Sequence, residues 1–278
     1  TELSTVTQTQ VASAVAAAYA AGSTADAVTY LPDGTGAVSR SVQSRMREAY
    51  SVTDFGATGD GSTDDTAEIQ AAIDAVRSAG GGALLFPAGT YKISATLTTC
   101  DSVYLIGEGA GRWFQPTEAP ATKIAWYGGA SNMLQFGHGV STQVNGGVAR
   151  MCVDGRGIAT RCLSVKDFQH GQFDDIQLTG AITAALELSN TDTYDVTGFC
   201  TFRDMQINLR GGATDSAHGI YLNGVGTGAS GVTKCHFFAP RIEHANGHGL
   251  LLGLRADSNT FVDFFAYRAN TTETGYGV

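Results

Sequence analysis

Two series of short apolar runs alternate through the C-terminal half of the chain. The first opens on phenylalanine, with apolar residues three and five positions on: Phe173, Ile176 and Leu178; Phe202, Met205 and Ile207; Phe237, Pro240 and Ile242; and a looser copy at Phe261, Phe264 and Ala266. The second series falls between them, at residues 162–165, 185–188, 219–222 and 249–252. Successive phenylalanines lie 29, 35 and 24 residues apart. Strands of constant form joined by gaps of variable length are what a solenoid of stacked coils produces. Alternate side chains of such strands point inward and outward, so Phe173, Phe202, Phe237 and Phe261 are predicted to pile up in one internal column. No helical stretch suited to a βαβ crossover is visible after Gly80, which sets aside a doubly wound sheet. A sandwich of short strands is the remaining alternative.

The N-terminal part reads differently. Residues 6–21 are alanine-rich and end at Gly22, with Leu3, Val11, Val15 and Ala18 on a narrow stripe. That predicts a helix which needs a neighbour to pack against. Residues 24–37 carry Pro32, Gly34 and Gly36 and read as a linker. Val38, Val42 and Met46 recur every four residues and predict a second short helix, its basic residues on the other face. Residues 1–49 are thereby set apart from 50–278; their helices serve ordinary packing or dock onto a larger assembly. Beyond them, 51–55 reads as a strand and 56–62 as a loop. A helix follows Asp64 and Asp65, buries a stripe of Ile69, Ala72, Ile73 and Val76, and stops at Gly80, Gly81 and Gly82. Strands are expected at 84–86, 91–93 and 103–106.

Residues 52–66 (VTDFGATGDGSTDDT), 69–73 (IQAAI), the glycines at 80–82 and residues 86–91 (FPAGTY) closely resemble the opening of the pectate-lyase-like superfamily, in the version found at the start of the β-helix in bacteriophage tailspikes. Residues 28–38 and 42–48 are similar to the lead-in of phage tail-fibre and tailspike chains. The resemblance covers roughly residues 28–109; beyond that it rests on the strand pattern. It implies an all-β solenoid, a right-handed parallel β-helix with an α-helical N-terminal lead-in and a capping helix near 64–79. It further implies a homotrimeric tailspike or tail-fibre component of the virion, assembled in the host cytoplasm. Residues 1–49 would attach to tail, baseplate or adaptor proteins, and the β-helix would bind, and often cleave, bacterial surface polysaccharide. A free polysaccharide lyase or glycosidase of the same fold, and a non-catalytic structural tail component, are the alternatives.

Composition narrows the partners. Only 15% of the 278 residues are charged and 36 are glycine, which suits coils whose backbone pairs with the coil above and below. A net charge of -9 argues against a nucleic-acid partner. No apolar run approaches the roughly 20 residues of a membrane helix, so no membrane insertion is expected. The five cysteines are odd in number and never close together, which speaks for small buried thiols over a disulfide framework. The chain has no initiator methionine and ends without a closing element, so a trimmed piece of a longer protein is expected.

The glycines at 107, 109 and 111 have the wrong spacing for a dinucleotide loop, and no cofactor is expected. Asp60, Asp64 and Asp65 read as caps and turn-formers. Cys235, His236, His244 and His248 lack a structural zinc spacing, and no metal is expected. Hydrolysis of a glycan needs two carboxylates, about 5–5.5 Å apart for retention or about 6.5–9.5 Å for inversion, and coils stack at about 4.8 Å. Aligning the phenylalanine-led strands puts Asp154, Thr179, Asn208, Glu243 and Tyr267 in one outward column, where Asp154 and Glu243 are too far apart to cooperate. Asp175, Asp204 and Asp263 form another, with Asp175 and Asp204 one step apart. Its simpler reading is a repeated turn, because Asp bonds local amides there. Glu243, beside Arg241 and His244, is the most chemically mixed outward cluster; its simpler reading is a solvated strand face. Asp175, Asp204 and Glu243 are therefore the candidate catalytic residues. Gln206, Asn208, Arg241, His244 and Tyr267 are the candidate sugar-binding residues, with Gln177 beside them.

Overall fold

A computed structural model describes residues 26–99, 101–112, 119–137, 143–191, 196–209, 217–225 and 231–267. The chain divides into two units, Thr1–Ala49 and Tyr50–Val278. The helix expected over 6–21 lies outside the described residues. In the first unit, Thr29–Tyr30 pairs antiparallel with Arg40–Ser41, so part of the expected linker is a strand. The second helix is shorter than its stripe suggested, Val42–Met46. The Ser41 hydroxyl accepts the Ser44 amide and sets the helix start, which leaves Val38 outside it.

In the second unit every pairing among the described residues is parallel. Leu97–Thr99, Asn132–Phe136, Arg161–Lys166, Ala184–Ser189, His218–Asn223 and Leu250–Leu252 form one six-stranded sheet that holds the second apolar series. On the other faces, Phe168–Thr179 pairs with Gln143–Asp154 on one side and with Thr201–Arg203 and Gln206–Asn208 on the other. These pair onward with His236–Phe238 and Arg241–Glu243, then with Thr260–Val262 and Phe265–Tyr267. The strands thus stack in columns of successive coils and close no barrel. Phe173, Phe202, Phe237 and Phe261 form the internal column the spacing predicts, with ring centroids 4.6 Å apart at each step.

Each coil bends where one residue adopts the left-handed conformation. One bend column comprises Arg150, Asp175, Asp204, Ala239 and Asp263, with φ between 46° and 56°. A second comprises Ser102, Asn145, His170, Phe199, Lys234 and Ser258. Asp is among the residues that tolerate this region. The repeated turn expected after each phenylalanine is therefore real, and backbone conformation is its basis.

The start of the stack departs from expectation in three places. Residues 51–55 are not a strand. Strand Tyr50–Ser51 ends in a 3-10 turn, Val52–Phe55, closed by a reciprocal cap in which the Ser51 hydroxyl accepts the Thr53 amide and the Asp54 carboxylate accepts the Ser51 amide. The loop after it passes into a strand, Asp60–Asp64, paired with Gly89–Ile93. The helix then spans Thr66–Ser78 and buries Ile69, Ala72, Ile73 and Val76 as predicted. Asp64 accepts the Thr66 amide and Asp60 closes its turn on Ser62 and Thr63. Asp65, at the cap position, makes no capping bond. Its buried carboxylate accepts the amide and hydroxyl of Thr58 and the amide of Gly59. It ties the preceding loop to the helix start. Among the described residues no helix is long and apolar enough to cross a membrane.

Candidate functional site

The bend that carries Asp175 and Asp204 opens onto a cleft of about 530 Å³, lined by Arg112, Asp175, Asp204, Gln206, Ala239 and Arg241. Its construction follows from strand alternation. Ile207 and Ile242 are buried in the core, so Gln206 and Arg241, which precede them and are register partners, stand on the outer face. Asp175, Asp204 and Ala239 hold the bend just before those strands. Ala239 stands where Asp175, Asp204 and Asp263 carry a carboxylate in the same column. Arg112 arrives from outside the repeats.

The charges interact. Burial is the main cause that raises the pKa of Asp175; the carboxylates of Asp174 and Asp204 push the same way, and the guanidiniums of Arg112 and Arg150 oppose it. Gln206 is only 7% exposed. Its Oε1 is buried with no hydrogen-bond partner among the described residues, and such an acceptor costs about 1–3 kcal/mol in desolvation. Arg241 lies over the ring of Phe265, 5.2 Å from its centroid, one coil further on. The cleft therefore offers an unsatisfied acceptor, two guanidiniums and two carboxylates.

Four of the eight expected residues thus meet in one place: Asp175, Asp204, Gln206 and Arg241. The other four do not line the cleft. Asn208, Glu243 and Tyr267 form the expected column, two positions along the strand, or about 7 Å away on the same face. Asn208 and Glu243 are each 8% exposed, which corrects the reading of a solvated face. Coils about 4.8 Å above and below hem in a side chain that sequence alternation marks as outward. Tyr267, in the last described coil, is 56% exposed. His244 is a half-buried bend residue with φ of 54°. Gln177 shares the Gln206 column, one coil back.

Arg112 carries no repeat signal that could have marked it. Of the glycines before it, Gly107 serves packing, since a Cβ there would lie 2.4 Å from the Arg150 carbonyl oxygen, and Gly111 takes a φ of 70°. The Cys235 and His244–His248 region is not gathered around a centre. Cys235 is buried, and the His248 amide donates to Nδ1 of His218 at 3.0 Å. Burial, with His248 adding to it, lowers the pKa of His218. Among the described residues no three His, Cys, Asp or Glu are grouped to hold a metal. Burial pushes the Cys152 thiol up to about 12, so it stays protonated and inert.

The model of the family described as Rhamnogalacturonase A/epimerase, pectate lyase-like, matches residues 49–232. Mannuronan C5-epimerase AlgE3 of Azotobacter vinelandii is 39% identical over 114 residues, which are 38% of this chain and 6% of that one. Among solved structures, ORF18 of Geobacillus virus E2 is similar with a TM-score of 0.66 and 21% identity, over 89% of this chain and 50% of that one. A mutant tailspike protein of E. coli bacteriophage HK620, in complex with a pentasaccharide, is similar with a TM-score of 0.53 and 14% identity, over 96% and 55%. The chain spans about half the length of these two structures and a small fraction of the epimerase. Both structural likenesses are likenesses of fold.

Proposed function

Because the chain belongs to the Rhamnogalacturonase A/epimerase, pectate lyase-like family, we propose that it is a phage tailspike or tail-fibre component whose coils wind as a right-handed parallel β-helix and whose cleft binds host surface polysaccharide. The observation that carries this reading is the buried, unpartnered acceptor of Gln206 at the cleft of Arg112, Asp175, Asp204 and Arg241. A sugar supplies hydroxyl donors for Gln206 and the carboxylates, and oxygen acceptors for the guanidiniums. The pentasaccharide held by the HK620 tailspike and the polysaccharide named for the epimerase support the ligand class. Asn208, Glu243, His244 and Tyr267 would extend the binding face, residues 1–49 would attach to the tail, and three copies would assemble. Arg241→Ala and Gln206→Ala, measured against a panel of bacterial surface polysaccharides, are expected to weaken binding about tenfold or more; unchanged binding in both would refute the cleft.

A second reading, hydrolysis at the same cleft, is favoured by the raised pKa of Asp175 beside Asp204. One coil step of about 4.8 Å lies close to the roughly 5–5.5 Å of a retaining pair. Asp175 would protonate the glycosidic oxygen as it leaves and Asp204 attack the anomeric carbon; water, giving its proton to the now ionised Asp175, would then displace Asp204 and free the sugar. Release of reducing ends that is lost in Asp175→Asn and Asp204→Asn and kept in Glu243→Gln assigns this pair. Loss in Glu243→Gln moves the chemistry along the strand, and an unsaturated product marks a lyase.

A further inference from the structure

Beside the cleft lies a second recess of about 470 Å³, lined by Tyr104, Ile106, Gly147, Ala149, Gln172 and Asp174 together with backbone of the same strands. We propose that it holds an uncharged pyranose residue of the same glycan whose neighbouring residues occupy the cleft; this rests on the polysaccharide reading above.

Strand register shapes the recess. Tyr104, Gly147 and Gln172 are aligned on three successive coils, as are Ile106, Ala149 and Asp174. Leu105, Val148 and Phe173 between them are buried, so both columns face outward. In the middle coil both outward positions are small, and the surface drops there for the height of one coil. The two small residues have different causes. A Cβ on Gly147 would lie 1.6 Å from the Gln172 carbonyl oxygen, so backbone packing demands glycine. At Ala149 a Cβ is already accommodated, half-exposed, and the recess exists because that side chain goes no further.

The walls match a sugar ring. The half-buried ring of Tyr104 and the aliphatic Ile106 offer an apolar floor for the C–H face of a pyranose. The exposed amide of Gln172 and carboxylate of Asp174 stand where hydroxyls would point. None of the lining side chains is cationic, and the one charged side chain among them, Asp174, repels a sugar carboxylate. The guanidiniums belong to the cleft. The two recesses share an edge, because Asp174 lines one and the next residue, Asp175, turned by its φ of 46°, lines the other. From the coil of Tyr104 to that of Arg241 is four steps, roughly 19 Å, a reach for an oligosaccharide.

The test uses the full chain and a size ladder of uncharged O-antigen oligosaccharides, with affinity measured by calorimetry. Wild type is expected to gain affinity as the oligomer lengthens. Ala149→Leu, which fills the recess from outside the core, should remove about tenfold of that gain and leave the shortest binding oligomer untouched. Tyr104→Ala should act in the same direction, and a melting curve on each variant confirms that the coils remain intact. If both folded variants keep the full gain while Arg241→Ala weakens all lengths, the recess proposal falls and the cleft stands. If wild type binds no oligomer and no polysaccharide of the panel, the cleft reading falls and takes this one with it.

Discussion

The ring of Phe202 lies on that of Phe237 with centroids 4.6 Å apart and planes 5° from parallel. Phe173 stacks on its other side with the same separation, so Phe202 is contacted on both faces and is 1% exposed. Phe202→Ala is expected to cost about 3–5 kcal/mol, read as a lowered urea midpoint. A loss below about 1 kcal/mol would mean that the column contributes little to holding the coils together.

Asp65 is the second point of leverage. Its carboxylate satisfies two amides and a hydroxyl of the loop before it. Asp65→Ala leaves those donors without their acceptor and should cost about 2–3 kcal/mol. Asp64→Ala, which loses a more exposed bond to the Thr66 amide, should cost about 1 kcal/mol. The order of the two in denaturant melts is the check.

Asp175 gives a pH signature with a definite sign. Burial and neighbouring carboxylates raise its pKa in the folded chain, so between the unfolded and folded values the folded state holds the extra proton. Stability then falls as pH rises through that window, from just above the ordinary value of 3.8 upward. Asp175→Asn should melt at a higher temperature than wild type at neutral pH, and the difference should shrink as pH is lowered toward 4. A difference independent of pH would refute the perturbation.

Gln206 should show opposed effects on folding and binding. Replacing its orphan acceptor by an apolar side chain of similar size, in Gln206→Leu, removes an unmet desolvation cost and is expected to stabilise the chain by about 1 kcal/mol. The same variant should bind the polysaccharide panel at least tenfold less well. Destabilisation together with full binding would show that the amide is satisfied within the fold.

Much of the fold was legible because coils repeat. The phenylalanine column, the bend after each one and four strands of the six-stranded sheet follow from position along the chain, whereas Leu97–Thr99 and Asn132–Phe136 lie outside the repeating series. The helix Thr66–Ser78 was legible from its stripe. What escaped depends on contacts between coils or on segments outside the repeat. Asn208 and Glu243 alternate as outward residues, yet neighbouring coils bury them. Arg112 completes the cleft from a segment with no periodic partner. Asp65 looks like a cap from its position and is instead a staple, because its carboxylate bonds Thr58 and Gly59 of the preceding loop and no helix amide. The short strand and turn of 50–55 were misread because a reciprocal cap of Ser51 and Asp54 overrides the β-propensity of Val52 and Phe55.

The bend column of Arg150, Asp175, Asp204, Ala239 and Asp263 shares one backbone conformation and almost nothing else. A cation, three acids and a methyl group occupy equivalent places, so what the winding fixes there is a dihedral angle and the choice of side chain is left open. Such a rail lets the outer chemistry be rewritten coil by coil while the inner pile of rings stays as it is.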